Sequence, residues 1–239
     1  MKEHYVAAVI VAAGKGTRMN VPVNKQYLLL HGKPILAHTL AVFENSKLID
    51  EIILVVGEHE TNRCMRDVVN PYGFKKIKKL VVGGKTRQQS MYNGLLEVST
   101  GCDIVVTHDG ARPLVDPETI HRSIKKTVEF KATVVGVPVK ETIKIMDSDG
   151  FVDSTPQRDR LWTIQTPQTF AYPLLMEAHR KALVDGYEGT DDAMLVENLG
   201  HPIKIIKGYY ENIKITTPED LLIAESIINI NRYHGKSGL

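Results

Sequence analysis

The sequence predicts an α/β protein built on a doubly wound, mainly parallel sheet from which a β-hairpin arm protrudes. Three observations carry this prediction. Short apolar, β-branched runs alternate with amphipathic stretches as far as residue 140. Glycines and charged residues gather where the apolar runs end. The rhythm breaks once, between residues 139 and 161, into alternating residues around a polar turn.

The runs at 5–11, 51–56, 77–82, 103–107 and 132–137 are too short for helices and rich in Val and Ile, so they read as buried strands. Between them, 35–44, 60–70, 87–98 and 117–130 carry helical spacing, the last opened by an Asp116 cap and Pro117 in the first turn. Strands that alternate with crossover helices imply parallel pairing with both faces covered. Within 139–161, Thr142-Ile143-Lys144-Ile145-Met146 alternates, and Asp147-Ser148-Asp149-Gly150 supplies a turn before a second extended piece. A hairpin with so little core is marginal alone in water, so this arm is expected to pack on a second subunit. A strand at 162–165, helices at 172–185 and 191–198, a strand at 203–207 and a helix from Pro218 complete the pattern. With no repeat or linker in view, residues 1–239 are expected to form one domain.

Composition narrows the function. Hydrophobic residues at 43% and charged residues at 24% suit a globular enzyme. With 30 Lys+Arg against 28 Asp+Glu, no global field points to nucleic acid or a membrane surface. Any anion must therefore be met by a few placed cations. Cys64 and Cys102 lack metal-ligand spacing and are too few for a disulfide framework, so they are expected to be buried free thiols. The apolar run at 6–13 falls well short of the ~18 residues of a bilayer span and reads as a first strand, not a signal segment. A cytoplasmic protein is expected.

In a doubly wound sheet ligands bind beyond the carboxyl ends of the strands, so those loops are the place to search for chemistry. The first strand empties into Ala12-Ala13-Gly14-Lys15-Gly16-Thr17-Arg18-Met19, followed by Lys25-Gln26-Tyr27. Glycines allow close backbone approach and an anion-binding nest, and Arg18 and Lys25 add charge beside it. The spacing is not the Gly-x-x-x-x-Gly-Lys-Ser/Thr of a P-loop, nor the dinucleotide fingerprint, whose third glycine is missing. A plain strand-to-helix turn would explain the glycines but not the paired cations. The third strand ends in Gly83-Gly84-Lys85-Thr86-Arg87-Gln88-Gln89-Ser90, where Ser90 could reach a base edge; a capped structural turn accounts for this stretch equally well. The fourth ends in His108-Asp109-Gly110-Ala111-Arg112-Pro113. Asp109 there could bind Mg²⁺ or a ribose hydroxyl, with Arg112 on phosphate or orienting Asp109. Thr142, Arg158, Thr166 and Lys214 suggest a second anion pocket near the arm.

These segments, with Gln165-Thr166-Pro167-Gln168, Thr190-Asp191-Asp192-Ala193 and Asn212 to Asp220, occur in an order that resembles the 2-C-methyl-D-erythritol 4-phosphate cytidylyltransferase family over nearly the whole chain. The resemblance implies a Rossmann-like nucleotidyltransferase fold, CTP as donor, methylerythritol phosphate as acceptor, Mg²⁺ as cofactor and a homodimer joined through the arm. Carried over by position, Ala12, Ala13, Gly14, Gly16 and Lys25 would hold the triphosphate, with Arg18 reaching toward it. Gly84, Lys85 and Ser90 would read cytosine, Asp109 would lie near ribose and metal, and Arg112 beside it. Thr142, Arg158, Thr166 and Lys214 match the acceptor-gripping positions, some across the dimer interface. Arg18, Lys25 and Lys214 are the expected catalytic residues. Gly110 stands where the family often has Ala, and Lys85 where some members have Asp. A sister family acting on ribitol 5-phosphate usually has Ala-Gly-Gly in its first loop and Val before the arginine; Ala12-Ala13-Gly14 and Gly110-Ala111-Arg112 favour the methylerythritol group. A non-catalytic nucleotide sensor or a dehydrogenase on a related sheet are the rivals from other classes.

Overall fold

The computed structural model describes residues 4–14 and 24–233. The chain opens with β1 (Val6–Ala12), a 3-10 turn at Lys25–Tyr27 and a small hairpin, β2 (Leu29–Leu30) and β3 (Lys33–Pro34). Next come α1 (Ile35–Asn45), β4 (Glu51–Val56), α2 (Thr61–Cys64), α3 (Asn70–Tyr72), β5 (Ile77–Val82), α4 (Arg87–Leu95) and β6 (Ile104–Asp109). Then follow α5 (Pro117–Phe130), β7 (Ala132–Pro138), the arm strands β8 (Ile145–Met146) and β9 (Val152–Ser154), and β10 (Trp162–Ala171). The chain closes with α6 (Tyr172–Asp185), α7 (Asp192–Asn198), β11 (Lys204–Lys207) and α8 (Pro218–Tyr233).

Seven strands form one sheet in the order β11-β7-β10-β6-β1-β4-β5. β1 pairs in parallel with β4 and β6, β4 with β5, and β11 with β7, while β10 runs antiparallel between β6 and β7. The β1 sequence Val-Ala-Ala-Val-Ile-Val-Ala is apolar at every position because both faces are covered. Val6, Ala8 and Ile10 pack with Leu40 and Phe43 of α1 and Ile120 and Ile124 of α5. Ala7 and Val9 pack on the opposite side with Met91 and Leu95 of α4 and Leu175 of α6. A third cluster joins Leu30, Ile35 and Leu114 to Ile215, Ala224 and Ile228, seating the C-terminal helix. Both cysteines are free and buried, and burial pushes each thiol up to about 12. Among the described residues no helix is long and apolar enough to cross a membrane.

Side chains cap the helices where the sequence signals them. Asp116 accepts Thr119 N–H at 3.1 Å ahead of Pro117, and Asp191 accepts Met194 N–H at 2.9 Å at the start of α7. The helix expected over 60–70 is interrupted: α2 gives way to a π-helical turn, Met65–Val69, just ahead of Pro71, which has no N–H for the ladder. α4 stops at Leu95, not at residue 98. The expected 103–107 strand runs on to Asp109 as β6, so the carboxylate is carried by the sheet itself.

The largest departure is β10, expected at 162–165 and in fact ten residues long. Its buried polar residues hid it. Thr169 donates to Ser123 Oγ at 3.0 Å and Gln168 donates to Asp191 at 2.7 Å, so polar groups inside the fold are satisfied by one another. The arm is present but slight. β8 and β9 pair antiparallel, Asp147 Oδ1 accepts Asp149 and Phe151 N–H groups, and Gly150 takes a φ of 89° to close the turn. Ile145, Met146, Phe151 and Val152 are all exposed.

Candidate active site

Four parallel strands, β5, β4, β1 and β6, finish on one edge of the sheet, and a cleft of about 1220 Å³ opens beyond them. Its walls include Ala12, Ala13 and Gly14 after β1, Gly57 to Glu60 after β4, Gly83 to Arg87 after β5, and Asp109 at the end of β6. Lys25 and Lys214 enter from the 3-10 turn and from the segment ahead of α8. The volume exceeds the usual range for a single small ligand.

The loop after β5 is held by its own residues. Thr86 Oγ1 accepts Gln89 N–H at 3.1 Å, and Gln89 Oε1 accepts Lys85 N–H at 3.0 Å, a reciprocal arrangement close to a capping box. Ser90 Oγ donates to Thr86 O at 2.8 Å and accepts Gly84 N–H at 3.0 Å. Ser90 is only 3% exposed, so its hydroxyl shapes the glycine loop from within the wall. A Cβ at Gly83 would come within 2.5 Å of the Ala13 Cβ, so a glycine here lets the loops after β1 and β5 meet.

Asp109 anchors the opposite side. Its Oδ2 accepts Lys214 Nζ at 3.0 Å and Arg112 Nε at 3.2 Å, while Oδ1 faces Arg87 Nε at 3.7 Å. Burial alone would raise this carboxyl, but Lys214, Arg87 and Arg112 outweigh it and hold it well below the ordinary carboxylate range. Arg87 also donates to Asp192 Oδ2 at 3.0 Å, and Asp192 is 1% exposed. Asp192 is the leading cause that raises the Arg87 guanidinium above its ordinary value. Three cations thus surround two aspartates, leaving surplus positive charge at the cleft without any global field.

Behind Asp109 runs a chain of buried polar groups. Thr166 Oγ1 accepts Asp109 N–H at 3.1 Å and meets His108 Nδ1 at 2.9 Å, while His108 Nε2 meets Arg112 O at 3.3 Å. This network assigns a neutral imidazole with its proton on Nε2. Burial pushes His108 down to about 3, consistent with that form. Arg112 Nη1 donates to Asn212 O at 2.8 Å, and Ile215 N–H to Ala111 O at 2.9 Å, which docks the segment carrying Lys214. Lys25 Nζ reaches the same segment, donating to Ile215 O at 2.8 Å.

Of the residues singled out by sequence, Ala12, Ala13, Gly14, Lys25, Gly84, Lys85, Ser90, Asp109 and Lys214 line this one cleft. Arg112 and Thr166 stand behind Asp109. Thr142 and Arg158 lie exposed on the arm side, away from the cleft lining, and Arg158 donates to Lys140 O at 3.2 Å. Gly16 and Arg18 lie outside the described residues. Sequence reasoning assigned no role to Arg87 or Asp192, although both stand in quoted motifs, nor to Glu60, which no motif contained. A Cβ at Gly110 would come within 2.9 Å of the Ala12 Cβ, so a side chain here would crowd the end of β1.

A family profile for 2-C-methyl-D-erythritol 4-phosphate cytidylyltransferase (IspD) matches residues 6–230. The chain is 52% identical over 226 residues to the protein of that name from Clostridioides difficile, covering 95% of this chain and 94% of the relative. It is 51% identical over 220 residues to the one from Caldanaerobacter subterraneus, covering 92% and 97%. The crystal structure of 4-diphosphocytidyl-2C-methyl-D-erythritol synthase from Anaerococcus prevotii superposes with a TM-score of 0.85 at 35% identity, covering 95% of this chain and 96% of that one. The Thermus thermophilus cytidylyltransferase gives 0.75 at 30% identity, covering 93% and 98%. By sequence and by fold, this chain belongs to the IspD family of CTP-dependent cytidylyltransferases.

Proposed function

We propose that the cleft transfers CMP from CTP to 2-C-methyl-D-erythritol 4-phosphate, giving 4-diphosphocytidyl-2-C-methyl-D-erythritol and pyrophosphate for isoprenoid precursor synthesis. The observation that carries the reading is the convergence of Lys25, Lys214 and the Asp109 cluster on a glycine-walled cleft at the carboxyl edge of a parallel sheet. An acceptor phosphate oxygen attacks the α-phosphorus, the new P–O bond forms in line, and the bond to the β-phosphate breaks, its electron pair leaving with pyrophosphate. The acceptor phosphate is already ionised near neutral pH, so no general base is needed. The work left to the protein is to bring two anions together and to neutralise developing charge.

In this reading Ala12, Ala13, Gly14, Gly16 and Lys25 hold the triphosphate with Arg18, while Gly84, Lys85 and Ser90 form the cytosine wall. Asp109 meets the ribose and fixes Lys214 toward the reacting phosphates. Thr142, Arg158 and Lys214 grip the acceptor. Thr166 contributes through its bonds to Asp109 and His108, since its hydroxyl is buried among them.

Magnesium belongs to the same reading. Among the described residues no three His, Cys, Asp or Glu side chains form a metal-holding group. Asp109 Oδ1, facing Arg87 at 3.7 Å, is one carboxylate oxygen beside the proposed phosphate site. That donor set fits Mg²⁺ held mainly by phosphate oxygens and water with a single carboxylate. When bound, the ion would neutralise phosphate charge. The exposed apolar residues of the arm support a homodimer in which Thr142 and Arg158 serve the neighbouring cleft. A single-domain, cytoplasmic enzyme completes the proposal.

Pyrophosphate release with CTP and Mg²⁺, run in parallel with methylerythritol phosphate and ribitol phosphate, tests it. Release with the former alone is expected. Release with ribitol phosphate alone would overturn the acceptor assignment, and CTP binding without release would turn the reading toward a sensor.

A further inference from the structure

The turn after β4 bears no residue that the proposed chemistry uses, yet it grips the segment carrying Lys25 at several points. Glu60 closes that turn, its N–H donating to Gly57 O at 3.0 Å. Its carboxylate folds back over the turn. Oε2 accepts Gly57 N–H at 3.1 Å and Gln26 Nε2 at 3.0 Å, and Oε1 accepts Asn24 Nδ2. A Cβ at Gly57 would lie 2.7 Å from Glu60 Oε2, so the glycine lets the carboxylate close over the turn. Gln26 is 1% exposed, and its amide also donates to Ala12 O at 2.8 Å. Both residues that flank Lys25 are therefore bonded to one carboxylate, which also ties them to the ends of β1 and β4. Three residues further on, the Arg63 guanidinium lies 4.4 Å from the centre of the Tyr27 ring, gripping the last residue of the same 3-10 turn.

We propose that Glu60 is a positioning residue for Lys25, acting as a hydrogen-bond keystone and not through its charge. The proposal rests on the reading of Lys25 as the cation that meets the triphosphate. A carboxylate is a poor neighbour for a triphosphate on Coulombic grounds, so its place in the cleft wall needs another reason. The reason is acceptor capacity: three donors from two chain segments converge on two oxygens. Charge and hydrogen bonding separate cleanly by substitution. In Glu60→Gln the amide oxygen can accept Gln26 and Gly57, and the new NH₂ can donate to Asn24 once that amide turns over. In Glu60→Ala all three donors lose the carboxylate, Gln26 keeps Ala12 O alone, and the hold on the Lys25 segment loosens. A misplacement of about 1 Å in such a group costs up to about 10²-fold in turnover.

The test is steady-state kinetics with saturating methylerythritol phosphate, CTP affinity by calorimetry and a thermal melt for wild type, E60Q, E60A, K25A and K25A/E60A. The expected result is a kcat of E60Q within about threefold of wild type and a kcat of E60A about 10–100-fold lower. E60A should add little further loss in the K25A background, because a positioning residue has nothing left to position. Three outcomes overturn the proposal: E60Q and E60A behaving alike, E60A keeping full turnover while binding CTP more tightly, or E60A lowering kcat by the same factor with and without Lys25. Full turnover in K25A alone would instead defeat the underlying reading of Lys25. If E60A does not fold, Asn24→Ala removes one of the three donors at a half-buried position. It should lower kcat about threefold or more, and unchanged turnover would overturn the proposal.

Discussion

Asp192→Asn isolates the buried ion pair that holds the cleft wall to the helical layer behind it. Asp192 is 1% exposed, accepts Arg87 Nη2 at 3.0 Å and faces His179 Nε2 at 3.5 Å. Removing one partner of a buried pair costs about 3–5 kcal/mol because the other charge is left uncompensated. Two features lower that figure here. The Asn oxygen can still accept from Arg87, and Arg87 keeps Asp109 at 3.7 Å and is 26% exposed. A loss of about 2–3 kcal/mol follows, which in a chain of this size lowers Tm by roughly 4–12 °C. Urea unfolding with an unchanged m-value, alongside a thermal melt, measures it. Replacing both partners, Arg87→Met with Asp192→Leu, should recover most of the loss, since an apolar pair of similar volume leaves no buried charge. A single-variant loss under about 0.5 kcal/mol, or a double variant as unstable as the two singles summed, would refute the claim that this pair is desolvated and coupled.

Further outcomes follow from the same geometry. Lys25→Ala should lose about 10²–10³ in kcat while remaining folded; near-wild-type turnover would remove Lys25 from the proposed chemistry. Arg158→Ala and Thr142→Ala should raise KM for the acceptor and leave CTP affinity intact, and a collapse of CTP binding in calorimetry would contradict the two-pocket reading. His108 has its folded pKa depressed to about 3 from 6.5, so the unfolded chain binds the extra proton between those values. Stability from this group is therefore complete above pH 6.5 and declines as pH falls toward 3, by up to about 1.4 kcal/mol per unit. The Tm should fall between pH 6.5 and 5, and His108→Gln should flatten that slope; an unchanged slope would count against a buried neutral imidazole.

The sheet was legible where its central strands are covered on both faces, so Val6 to Ala12 reads as one apolar run in sequence and is buried in the fold but for a half-buried Val11. β10 was legible only over 162–165, because its second half is held by Gln168, Thr169 and their buried partners, a pattern that mimics a loop in one dimension. The His31-Gly32 hairpin escaped for a similar reason: positive φ values of 49° and 76° close a turn between strands of only two residues each. The cleft was legible where chemistry leaves a signature in neighbouring residues, as in Ala12-Ala13-Gly14 and Gly83-Gly84. Arg87, Asp192 and Glu60 act across long stretches of chain, and no local spacing announces which carboxylate a guanidinium will meet. Ser90 and Thr166 show the converse. The motifs pointed to both, yet Ser90 sits in the cleft wall and Thr166 behind Asp109, and their hydroxyls bond to the protein itself.

The bond from Lys25 Nζ to Ile215 O spans 190 residues, and Arg112 meets Asn212 across 100. The floor of the cleft is encoded early, in strands that can pair as soon as β6 has emerged, while its second lysine arrives only with the last segment of the chain. A truncated product ending before residue 212 would therefore present the glycine walls of the groove without Lys214. Under the proposed reading, Lys214 completes the cleft only once the chain has grown past α7 and β11, so turnover is expected of the finished polypeptide.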